Sequence, residues 1–151
     1  MKHLKQLSAA AAMLLSLVLT AAAGCSSPAL AAKETPSTTP VQVIHNLSAA
    51  EAYALIQANN GNPDFIIIDV RTPAEYATGH LENTINIDYT SANFKQEISK
   101  QEPGRKYLVY CRSGARSAQA RDVMKTMGFL GINNMDGGIT AWTAAGFQVV
   151  K

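Results

Sequence analysis

The chain has 151 residues, 47% of them hydrophobic and 16% charged, which suits one domain able to bury a core plus an appendage. Its formal charge is +2, and without Lys2 and Lys5, both in the first 24 residues, basic and acidic side chains balance; this speaks against a nucleic-acid partner. The two cysteines, Cys25 and Cys111, lie in such different contexts that no disulfide is expected, and His3, His45 and His80 are isolated from both, so no metal site and no cofactor is predicted.

Residues 1–24 combine a basic start with an apolar stretch from Leu7 to Ala23 and then small residues, the layout of a secretory signal peptide. The stretch is too short and too Ala-rich for a comfortable transmembrane span. Its end, Ala22-Ala23-Gly24-Cys25, resembles the lipobox of bacterial lipoproteins. That resemblance implies a diacylglycerol on Cys25, cleavage before it, and an exported protein lipid-anchored to a membrane of the cell envelope. The alternative is ordinary cleavage at Ala21-Ala22-Ala23 or Ala29-Leu30-Ala31, which leaves a soluble periplasmic or secreted protein. Residues 25–43 then read as a lipidated N-terminus and flexible linker, because the Ser, Thr, Ala and Pro up to Pro40 cannot bury enough surface to offset ordering.

A domain spans 44–151. It opens on a short strand near Val41–Ile44, and the Ser48–Glu51 capping box starts a helix running to about Ala58. Phe65-Ile66-Ile67-Ile68 is a continuous apolar run, as in a central strand covered on both faces. Thr72-Pro73-Ala74-Glu75 is a second capping box, with Pro at the first helical position, and Arg71 and Glu75 are close enough to pair. A strand at Thr84–Ile87, a helix from Asn93 to Lys100 and a strand from Lys106 to Tyr110 follow. A helix from Ser117 to Met127 then carries Ala120, Val123, Met124 and Met127 on one face, and Ile132–Met135 forms the last strand. The final helix holds Ile139 and Trp142, the latter a packing anchor. Gly137-Gly138 either simply turns the chain or brings backbone close to the preceding loop. Strands alternating with helices imply an α/β fold, a parallel sheet with helices on both faces.

The chemistry centres on Cys111-Arg112-Ser113-Gly114-Ala115-Arg116, between a strand and a helix. Backbone N–H groups without intrahelical partners can converge there on an anion, and Gly114 permits the dihedrals that such a ring needs. A thiolate on Cys111 is stabilised by those amides, by the helix N-terminus and by Arg112 and Arg116. Cys111 is therefore the expected nucleophile, with Arg112, Ser113, Gly114, Ala115 and Arg116 binding substrate. Asp69, Arg71, Glu75 and His80 are read mainly as fastening a turn beside it.

The stretch Cys111-Arg112-Ser113-Gly114-Ala115-Arg116-Ser117 resembles the active loop of single-domain rhodaneses. So do Asp69-Val70-Arg71-Thr72-Pro73-Ala74-Glu75-Tyr76 with Gly79-His80-Leu81, and Asp136-Gly137-Gly138-Ile139-Thr140-Ala141-Trp142. The resemblance covers about residues 44–150. It implies the rhodanese-like fold with a five-stranded, mostly parallel sheet. It also implies thiosulfate sulfurtransferase activity, with a Cys111 persulfide passing sulfur from a small anionic donor to a thiol or cyanide acceptor, a protein acceptor included. Two other readings stand beside it. A phosphatase or arsenate reductase of related fold would hold one residue more between Cys and Arg than the four present here. A non-catalytic binding module would use the same surface without turnover.

Overall fold

In the computed structural model, the structure describes residues 40–151. The expected signal peptide of residues 1–24, Cys25 and the expected linker as far as residue 39 lie outside the described residues.

Five strands, β1 (Val43–Leu47), β2 (Phe65–Asp69), β3 (Thr84–Asn86), β4 (Lys106–Tyr110) and β5 (Gly131–Met135), form one sheet in the order β1-β5-β4-β2-β3. Every pairing is parallel. The helices are α1 (Ala49–Ala58), α2 (Pro73–Ala77), α3 (Phe94–Ile98), α4 (Ala115–Thr126) and α5 (Gly138–Ala144).

Strand side chains alternate between faces, and each face has its own core. Ile67, Leu108, Tyr110 and Met135 pack with Ala49 and Ala52 of α1 and Trp142 of α5. Ile68, Tyr107, Val109 and Ile132 pack on the other side with Phe94 and Ile98 of α3 and Ala120 and Met124 of α4, and Cys111 belongs to this second core. A parallel sheet covered on both faces accounts for the unbroken apolar run of β2. Both capping boxes form, Ser48 with Glu51 and Thr72 with Glu75.

Several element ends shift by a residue and α3 is shorter than the expected 93–100, but two boundaries differ for a reason the structure shows. The first strand is Val43–Leu47 rather than 41–44, because its register is set by a ladder to β5 that runs from Val43 opposite Gly131 to Leu47 opposite Met135. Val41, outside the ladder, is 80% exposed. Helix α4 begins at Ala115, two residues earlier than expected, because Gly114 takes a left-handed conformation (φ 94°) that ends the turn at once.

Candidate active site

Strand β4 is the middle strand, and its last four residues, Tyr107–Tyr110, are fully buried. The site lies at its carboxyl end, where open α/β sheets place their ligands. Cys111 opens a turn of four residues that closes at Gly114, so Ala115 and Arg116 belong to the first turn of α4. The Gly114 N–H donates to Cys111 Sγ at 3.2 Å, and the Ser117 hydroxyl lies 3.6 Å from Sγ and 3.0 Å from the Gly114 carbonyl oxygen. That hydroxyl has one proton and two acceptors in reach; the carbonyl can only accept, so a negative charge on sulfur is what would draw the proton across.

Burial opposes ionisation of Cys111. Against it stand the backbone N–H and hydroxyl of Ser117 and the backbone N–H groups of Ser113 and Gly114, and the net result is a thiol pKa below the ordinary value. Each of these donors favours the thiolate, which is the nucleophilic form.

Two arginines near the turn are held by carboxylates. Arg116 crosses to Glu75 in a two-pronged pair, Nη1 to Oε2 at 2.8 Å and Nη2 to Oε1 at 2.7 Å. Glu75 also accepts from the N–H and hydroxyl of Thr72. Arg116 is the main reason that the Glu75 carboxyl is held down at about 2. The expected Arg71–Glu75 pair is therefore absent: Arg71 instead forks onto the buried carboxylate of Asp69 (2.6–3.0 Å) and donates to the Gly79 carbonyl at 2.7 Å. Asp69 is two residues away on the strand end and wholly buried, so it offers a fixed, desolvated partner that Glu75 on α2 does not. Arg112 and Ser113 are exposed on the turn.

His80 stacks on Tyr76 with ring centroids 3.7 Å apart, and its Nδ1 lies 3.2 Å from the Tyr76 carbonyl oxygen, a pure acceptor, so Nδ1 carries the proton. Its backbone exchanges two hydrogen bonds with Val150. Asp69, Arg71, Glu75 and His80 thus build the frame around the turn, and only Glu75 reaches a side chain of the Cys111 segment, that of Arg116.

Two features escaped the sequence reading or were left open by it. Ser117 is not among the site residues that the sequence marks, although a helix starting at residue 115 brings the third residue of its first turn back over the loop. The second feature is the role of the double glycine. The Ile139 and Thr140 N–H groups donate to the carbonyl oxygens of Cys111 (2.9 Å) and Arg112 (3.1 Å), so α5 holds the turn by its backbone. A Cβ at Gly138 (φ 54°) would overlap the Cys111 carbonyl oxygen and lie 2.7 Å from the Arg112 carbonyl. Close approach is the reason for that glycine. Beside the turn runs a groove of about 580 Å³, whose lining includes Arg71, Arg112, Ile139, Thr140 and Val149.

The rhodanese-like domain family matches residues 48–145. A protein called sulfurtransferase from Allochromatium vinosum is 34% identical over 101 residues, which are 66% of this chain and 92% of that one. A tRNA uridine(34) hydroxylase from Wigglesworthia glossinidia brevipalpis is 33% identical over 101 residues, 63% of this chain but 30% of the hydroxylase. Among solved structures, a rhodanese-related protein from Thermoplasma volcanium superposes with a TM-score of 0.60 at 31% identity, covering 70% of this chain and 97% of that one.

Proposed function

This chain belongs to the family of rhodanese-like domains, and from that membership we propose that it is a thiosulfate sulfurtransferase working through a Cys111 persulfide. The observation that carries the reading is the sulfur of Cys111, buried and facing backbone N–H groups that favour its anion. The thiolate attacks the outer sulfur of thiosulfate: a bond forms between Sγ and that sulfur, the sulfur–sulfur bond of the donor breaks, and sulfite leaves with the electron pair. The ring that received the thiolate then receives the charge of the terminal persulfide sulfur. An acceptor thiolate or cyanide attacks the same sulfur, takes it, and returns Cys111 to the thiolate.

The turn holds what this chemistry needs and little more. Four residues separate Cys111 from Arg116, a ring suited to one sulfur atom, and Arg116 is already occupied by Glu75. Both points disfavour a phosphoryl group, which calls for an arginine free to clamp its oxygens. Mass spectrometry after thiosulfate treatment should show one added sulfur atom on Cys111, removed again by cyanide, and none on Cys111→Ala. Robust hydrolysis of aryl phosphates by the wild type would instead establish the phosphatase reading.

The proposal extends to where the domain works. A lipid on Cys25 would hold it at a membrane of the cell envelope through the linker that follows, and two signals are the rule for stable anchoring by acyl chains. Cys25→Ala should move the protein to the soluble fraction; a mature N-terminus near Ala32 would show ordinary signal cleavage.

A further inference from the structure

A cavity of about 820 Å³ lies not at Cys111 but beside the first residue of β2, Phe65. Phe65 and Asp69 are the two ends of β2, and Asp69 pairs with Tyr110, the residue before Cys111. Four steps of strand rise put the two sites roughly 13 Å apart along the sheet. The cavity lies on the α1 and α5 side, whereas Cys111 belongs to the core on the α3 and α4 side.

Its chemistry also differs from that of the catalytic turn. Its lining holds no Lys, Arg or His, and a single carboxylate, Glu82. An anionic sulfur donor has nothing to pair with there. The floor is aromatic: Tyr53 stacks on Phe147 with parallel rings 4.4 Å apart, and Trp142 tilts against both. It is also fixed, because Trp142 Nε1 donates to the Gln148 carbonyl oxygen at 2.9 Å and so straps the segment after α5 to the helix. Tyr53 remains 41% exposed.

Around this floor stand carboxamides. Asn59 and Asn62 spend theirs on the turn before β2, donating to the Leu55 carbonyl and to Asn59 Oδ1. Gln57, Asn60, Asn83 and Gln148 line the same space, and Asn83 alone among non-glycine residues of the described chain has a positive φ, 58°. Carboxamides donate and accept at once, as hydroxyl groups do, and they carry no charge. A pocket of this size with an aromatic platform and several uncharged donor–acceptor groups is matched to a ligand with one apolar face and many hydroxyls.

We propose that this cavity is a saccharide-binding site, taking a neutral sugar ring stacked on Tyr53 with its hydroxyls met by Gln57, Asn60, Asn83 and Gln148. The site is separate from the sulfur chemistry and does not depend on it. A nucleoside also stacks and hydrogen-bonds, so it is the comparison that matters.

The chain has one tryptophan, so the intrinsic fluorescence of Trp142 reports on this cavity. Titration of the full chain with chitotetraose, cellotetraose and maltotetraose should change that signal for at least one of them, with a Kd of about 1 mM or tighter. Calorimetry on the same probe should agree. Tyr53→Ala should weaken binding about tenfold, the worth of an aromatic stacking contact. Asn83→Gly keeps the positive φ and removes only the carboxamide, so it should weaken binding with the unfolding midpoint little changed. Cys111→Ala should bind as the wild type does. The proposal is overturned if none of the three saccharides binds at that level, if Tyr53→Ala binds as well as the wild type, or if adenosine binds while they do not.

Discussion

A cysteine attacks as its thiolate, so the groups that reach Sγ decide whether Cys111 reacts, and those groups are mostly backbone. The N–H groups of Ser113, Gly114 and Ser117 and the Ser117 hydroxyl outweigh burial and leave the thiol pKa below the ordinary value. The thiolate therefore persists to lower pH than in a free cysteine, and alkylation by iodoacetamide should rise with pH earlier than for a cysteine-containing peptide. Removing the hydroxyl withdraws a hydrogen bond to a charged group, which is worth about 1.5–3 kcal/mol. Ser117→Ala should accordingly move the alkylation profile to higher pH and slow the reaction at neutral pH roughly tenfold. Arg116→Ala should shift it less, because that guanidinium is committed to Glu75; a larger shift from Arg116→Ala than from Ser117→Ala would return the arginine to the role that its position in the sequence suggested.

Between elements, the turn is held from two sides. Helix α2 grips it through Glu75 and Arg116, and α5 grips it through the Ile139 and Thr140 N–H groups. The Glu75 carboxyl sits at about 2 against an ordinary value of 4.5, so the stability it supplies is fully present above pH 4.5 and lost as pH falls towards 2. Partly exposed, the pair is worth about 1–2 kcal/mol. Glu75→Gln should lose that much at neutral pH and show a flatter stability profile between pH 4.5 and 2 in urea titrations. At α5 the constraint is steric: Gly138→Ala combines overpacking of about 1–3 kcal/mol with a positive φ worth about 1–2 kcal/mol, so destabilisation of about 2–5 kcal/mol is expected from thermal unfolding. These contacts mark what the sequence could tell. The capping boxes and the apolar runs are local, and Ser48–Glu51, Thr72–Glu75 and β2 stand where the pattern put them. Glu75 and Arg116 are 41 residues apart, and nothing in the spacing chose between Arg71 and Arg116 as the partner. Similarly, the Val43–Leu47 strand is bounded by its ladder to β5, which local propensity does not contain.

At the scale of the whole domain, one sheet separates two cores, and each core carries its own reporter. Trp142 lies in the core under α1 and α5, and Cys111 lies in the core under α3 and α4. The strands between them supply neighbouring residues to opposite sides: Leu108 and Tyr110 to the first, Tyr107 and Val109 to the second, all fully buried. Neither layer of helices can leave without exposing the middle strand, whose ladder bonds to β2 and β5 also support the other layer. The described domain should thus unfold as one unit, as small single domains do. In urea, the change in Trp142 fluorescence, the loss of helical circular dichroism and the return of the Cys111 alkylation profile to that of a free cysteine should share one midpoint. Met124→Ala, which opens a hole on the Cys111 side only, should cost about 2–5 kcal/mol and lower all three midpoints together. If the alkylation profile of Cys111 reached that of a free cysteine at a urea concentration where Trp142 still reported a native surrounding, the α3 and α4 layer would be opening by itself, and the sheet would not couple the two faces.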